Sequence, residues 1–172
     1  MRPIRRGLDA RRKELLEDAP PRSELLPAFA AALRRGRERL AALDFEADGF
    51  EAAGEGLRRT YHRARRGMHN AIRKNSPGAF HEWQKRNGYH QDHMRLLHEI
   101  WPAAMAARTQ TAGRLNDVLT QHYALSRLRR LVAARPDAYA RTSTVALFID
   151  LADQRRQELE IAARPLGKRL FQ

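Results

Sequence analysis

Apolar residues along this chain recur three and four positions apart, and strict alternation is absent. That period belongs to amphipathic helices and argues against half-buried strands. It is sharpest in two stretches. From Leu57 to Lys74, the residues Leu57, Tyr61, Ala64, Met68 and Ile72 make one apolar stripe. From Phe80 to Trp101, Trp83, His90, Met94, Leu97 and Trp101 share one face of a helix. His81, Lys85, Gly88, Asp92 and Arg95 share the opposite face, at spacings of four, three, four and three. Trp83 and Trp101 are therefore expected in the core. Asn75-Ser-Pro-Gly78 is turn chemistry between the two helices and sets them antiparallel.

The remaining segments follow the same logic. Arg2 to Glu17 has a weak helical pattern, with Ile4, Leu8, Leu15 and Leu16 as its large apolar residues. It reads as a helix lying on the rest or as a frayed tail, ended by Asp18-Ala-Pro-Pro21. Ser23 is an N-cap candidate for a helix over Leu25–Leu43, with Pro27 in its first turn and Phe29, Leu33 and Leu40 toward the core. Asp44 to Gly56 reads as a connection, either irregular or with a turn of helix. The central helix spans about Ala79 to Ile100, with Pro102 near its end. A further helix runs from Ala103 or Ala104 to Leu131 or Val132, with Gly113 as a site of kink or break. After Arg135-Pro-Asp137, the last long helix covers Ser143 to Ala163, with Val145, Phe148, Ile149, Ala152 and Leu159 inward and Pro165 interrupting it. The expected fold is all-α, an antiparallel helical bundle over residues 22–172 preceded by a basic segment, 1–21.

Charge narrows the function. There are 33 Lys and Arg against 20 Asp and Glu, a net charge of +13. Arg far outnumbers Lys, and its planar fork of donors suits phosphate oxygens. A polyanionic partner is implied: a phosphate polymer, nucleic acid or an acidic membrane. A genome that favours Arg codons is the bland alternative, but the basic residues are also patterned. Arg58, His62, Arg65, His69 and Arg73 flank the Leu57–Ile72 stripe, and Arg59, Arg63 and Arg66 continue around the helix. Like charges this dense destabilise a helix by a few tenths of a kcal/mol per pair. The crowding suggests a bound anion. Cysteine is absent, no apolar run approaches the roughly 20 residues that span a bilayer, and the basic start has no apolar segment behind it. No membrane insertion and a cytoplasmic location are expected.

Seven His residues invite a metal. His62 and His69 lie two turns apart and His90 neighbours His93, but the surrounding Arg and Lys would repel a cation. HExxH, GxGxxG, Walker A and GxSxG motifs are absent, as are paired carboxylates. The expectation is a non-enzymatic protein without cofactor or metal. His81 admits three readings: a phosphate partner, a solvated His at a helix start, or a metal ligand. Trp83 and Trp101 on the apolar face count against a base-stacking platform for single-stranded nucleic acid.

The motifs also resemble a family. Leu57-Arg-Arg-Thr-Tyr61, then Arg63, Arg65-Arg66-Gly67-Met68 and Phe80-His-Glu-Trp-Gln-Lys-Arg86 resemble the CHAD domain, the conserved histidine α-helical domain. So do His93-Met-Arg-Leu-Leu97 with Trp101-Pro102, and the closing Leu166-Gly-Lys-Arg-Leu-Phe171. The match covers about Leu57 to Phe171, and the N-terminal third only loosely. The resemblance implies a fold of two similar four-helix halves, here in a partial version of about one half and more. It implies a basic channel or surface that binds inorganic polyphosphate, location at polyphosphate granules, and a second copy or partner chain that completes the domain. By position, the family's track falls on His81, Lys85, His93 and Arg95. Its upstream basic helix falls on Arg58, Arg59, His62, Arg63, Arg65 and Arg66, joined by His69 on the same face. Its later basic residues fall on Arg155, Arg156, Lys168 and Arg169. The chain departs from the family pattern at Gln84, Gly88, Asp92 and Ala124. The resulting expectation is polyphosphate binding in a groove between the Leu57–Lys74 and Phe80–Ile100 helices. The rivals are a nucleic-acid-binding or architectural helical protein, and an enzyme acting on phosphate anhydrides.

Overall fold

The computed structural model describes residues 2–44, 49–139 and 141–172. Its elements are α1 (Arg2–Glu17), α2 (Arg22–Ala41), α3 (Gly49–Lys74), α4 (Pro77–Ile100), α5 (Pro102–Ala134), a 3-10 turn (Pro136–Ala138) and α6 (Thr142–Phe171). There is no strand among the described residues. Helices α3 to α6 pack as a four-helix bundle, with α4 against α3 and α5, and α6 against α5 and α3. The expected all-α bundle is what the chain forms.

The α3–α4 corner shows how local sequence sets the topology. Asn75 takes a left-handed φ of 44°, which Asn tolerates better than most residues. The Ser76 hydroxyl then accepts from the Ala79 amide at 3.4 Å and caps α4, with Pro77 in its first turn. Trp83 lies at the centre of the main core. Met68 and Ala64 of α3, Phe80 of α4, Leu115 and Leu119 of α5, and Ala163 and Phe171 of α6 gather in that cluster. Gly67 and Gly167 allow the close approach: a Cβ on Gly167 would fall 2.5 Å from the Trp83 ring. A second, smaller core joins Ile4 of α1 to Val132, Tyr139 and Val145. The basic N-terminal segment is thus a helix lying on the bundle.

Several expectations are corrected. Trp101 is 66 % exposed, because α4 ends at Ile100 and Trp101 becomes the joint between α4 and α5. Phe29, Leu33 and Leu40 of α2 are exposed, and α2 buries no residue. Residues 49–56, expected as connection, are the first turns of α3; residues 45–48 of that segment lie outside the described residues. Gly113 does not break α5; it admits Gln91 of α4, whose amide nitrogen would stand 3.3 Å from a Cβ there. Pro165 does not interrupt α6. It removes the hydrogen bond to the Ile161 carbonyl, but both residues lie on the exposed face, where solvent can satisfy that oxygen. Leu166 to Phe171 are then held by core packing.

Candidate anion-binding site

The second half of α5 carries Arg127-Leu-Arg-Arg130. Leu128 turns toward the small core, and the three arginines distribute around it. Arg129 reaches across to α6, where its Nε donates to Asp153 at 2.9 Å. Arg156, one turn further along α6, donates to the same carboxylate at 2.8 Å. One Asp therefore fixes two guanidinium groups on neighbouring helices. Arg127 and Arg130 lie three residues apart and stay exposed. From α4, His81 stacks on Tyr123 with ring centroids 3.9 Å apart and planes 10° from parallel.

These groups line a cavity of about 440 Å³ at the junction of α4, α5 and α6. Its walls are Pro77, His81, Tyr123, Ser126, Arg127, Arg129, Arg130 and Arg156, with no carboxylate among them. His81 Nδ1 and Arg156 Nε are buried and have no hydrogen-bond partner among the described residues. The cavity offers fixed cations and a volume within the range of about 300–1,000 Å³ typical of small-ligand sites.

Behind it lies a buried pair. His122 Nε2 meets Glu160 Oε1 at 3.0 Å, and Arg156 approaches the same oxygen at 3.5 Å. Burial pushes the His122 pKa down, and the bond to Glu160 only partly offsets this. With Nε2–H as donor to Glu160, His122 is neutral and Arg156 carries the charge. Glu160 thus helps hold Arg156 at the cavity wall.

The structure spreads the anticipated residues over several separate surfaces. His81 and Arg156 meet at the cavity just described. Lys85 is one turn from His81, but it is paired with Glu82 at 3.0 Å. Lys85 and then Arg86 hold the Glu82 carboxyl below its ordinary range. Arg63 and His93 come together between α3 and α4, in a hollow of about 290 Å³ that also contains Arg86, Tyr89 and Asp92. Arg95 lines a shallow cleft with His98, Glu99, Thr109 and Gln110, and pairs loosely with Asp92 at 3.7 Å. Arg58, His62, Arg65, Arg66 and His69 stand exposed along α3, and Arg59 pairs with Glu55. Arg155 pairs with Glu158, and Lys168 and Arg169 occupy the exposed last turn of α6.

Sequence reasoning missed Arg127, Arg129, Arg130, Asp153 and Glu160. One signal could have found them. Asp153, Arg156 and Glu160 recur at three and four along a helix whose neighbouring inward positions, Ala152, Leu159 and Ala163, are apolar. Charges in that register are expected to answer charges on the facing helix.

His90 is a different matter. It is buried between Tyr61 and Phe171, with ring centroids 5.7 and 5.3 Å away. Burial, then the positive charges of Arg108 and His93, lower its pKa to about 4. It is a neutral core residue and takes no part in anion binding at neutral pH. The folded pKa lies below the unfolded value, so the unfolded chain binds the extra proton first. The stability held above pH 6.5 is therefore expected to fall between pH 6.5 and 4, by up to about 3 kcal/mol from this group. Thermal unfolding of wild type and His90→Phe at pH 7 and 4.5 checks this; the variant should show the shallower acid loss.

No family model, curated protein or solved structure matches the chain in the comparisons made.

Proposed function

We propose that this chain is a non-enzymatic binder of inorganic polyphosphate, anchored at the α4–α5–α6 cavity. The observation that carries the reading is the cavity wall itself: His81 and four arginines converge, two of them fixed by Asp153, with no carboxylate in the lining. Arg forks donate bidentately to phosphate oxygens. A polyanion beside His81 favours its charged, doubly donating form. The stack on Tyr123 holds the ring in place. A short run of phosphate units occupies the cavity, and the polymer continues over the exposed basic surface. The net charge of +13 supplies the long-range attraction. The CHAD-like motifs support the same ligand and association with polyphosphate granules.

Binding of this kind neutralises several phosphates and releases counterions, so affinity should fall steeply with salt, by analogy with nucleic acids. The test is binding of the full chain to long-chain polyphosphate at near-physiological salt, with duplex DNA as competitor. Binding that DNA does not displace is the expected result. Displacement by equimolar DNA would make the basic surface generic and favour the nucleic-acid reading. Phosphate release from the polymer in the presence of Mg²⁺ would contradict binding without turnover.

A further inference from the structure

Helix α2 contributes no residue to either core among the described residues. It buries no residue, yet Leu25, Leu26, Phe29, Leu33 and Leu40 are 50 to 69 % exposed. Leu26, Phe29, Leu33, Gly36 and Leu40 follow the spacing three, four, three, four. On a helix these positions fall within an arc of about 80°. A stripe this narrow with a 3.5-residue period is a helix–helix seam, whereas a helix lying on a membrane carries a broad apolar face. Arg34, Arg35 and Glu38 occupy the far side. An isolated helix of this length is marginal in water, so α2 needs a cover.

Gly36 indicates what the cover is. A glycine in mid-helix costs about 1 kcal/mol relative to alanine, and a Cβ at Gly36 would meet nothing within 4 Å among the described residues. Nothing described within one copy requires it. We infer that α2 pairs antiparallel with α2 of a second copy, about a two-fold axis between Leu33 and Gly36. Each Leu33 then seats on the other copy's Gly36, and each Phe29 faces a Leu40. Large meets small across the seam, which is the packing a coiled-coil core needs. The exposed parts of Leu26, Phe29, Leu33 and Leu40 amount to roughly 500 Å² per copy, so the pair covers about 1,000 Å², the least a specific interface needs. The pairing brings together two copies that each carry a net charge of +13, and salt screens their repulsion. Self-association therefore strengthens with salt, opposite in sign to polyphosphate binding.

The experiment is the solution mass of the full chain at tens of micromolar, without polyanion, by sedimentation or light scattering. Wild type is expected at twice the chain mass, and Leu33→Asp/Leu40→Asp at one chain mass with its helix content kept. Because the chain has no cysteine, a mixture of Leu33→Cys and Gly36→Cys chains gives a second readout. Positions 33 and 36 face each other only in the antiparallel seam, so oxidation should cross-link one variant to the other. A monomeric wild type, a dimer unaffected by the double substitution, or a mixed dimer that does not cross-link overturns the inference.

Discussion

Arg127→Glu/Arg130→Glu is expected to lower polyphosphate affinity about 100-fold at near-physiological salt. Charge-assisted hydrogen bonds contribute roughly 1.5–3 kcal/mol each, and solvent screening reduces that for exposed groups. Two reversals at about 1.4 kcal/mol each give the factor quoted. Neither side chain ties one helix to another. Arg127 donates to the Tyr123 hydroxyl at 3.0 Å and lies 5.8 Å from the centre of that ring, one turn away on α5, and no ion pair involves Arg130 among the described residues. Stability should therefore stay within about 0.5 kcal/mol of wild type. Arg65→Glu/Lys85→Glu is the matched comparison. It reverses one residue on exposed α3 and one already neutralised by Glu82, so its loss should be several-fold smaller. The opposite ranking in a binding isotherm would move the site from the α4–α5–α6 cavity to the α3–α4 face.

Trp83→Ala should cost about 3–5 kcal/mol, and Gly167→Ala about 1–3 kcal/mol. Trp83 is fully buried at the centre of the main core. Truncating it leaves a void that Phe80, Met68 and Leu115 cannot all close. The glycine operates from the other side. An added Cβ would stand 2.5 Å from the Trp83 ring and 2.9 Å from Met68 Sδ, closer than real Cβ contacts come. The tryptophan is wedged between packed helices, so α6 would have to shift. The two changes share one space and cannot be additive. In the Trp83→Ala background, Gly167→Ala should be nearly neutral or restorative, because its methyl enters the void. A double-mutant cycle by denaturant unfolding measures this. Strict additivity would mean that Trp83 and Gly167 are not opposed across the core.

Much of the bundle was written locally. The Leu57–Ile72 stripe, the Asn75-Ser76-Pro77 corner and the alternation of polar and apolar faces on α4 depend on residues within one or two turns, and the helices followed them. The basic character was equally legible, since net charge is a sum over the sequence. The errors arose where a partner far along the chain decides. Trp101, Phe29, Leu33 and Leu40 sit on sound amphipathic patterns, but a pattern states only that a face seeks cover. Pro165 and Gly113 are breakers by intrinsic preference, yet packing of Phe171 and Gln91 outweighs about 1–3 kcal/mol of local cost. The cavity was hidden because its walls come from three helices: His81 precedes Arg127 by more than 40 residues, and Arg156 follows Arg130 by more than 25. By itself the sequence determined an all-helical, strongly cationic chain and the faces each helix offers. Only the tertiary structure decided which arginines Asp153 draws together beside His81, because that depends on the register of α5 against α6, which no local interaction encodes.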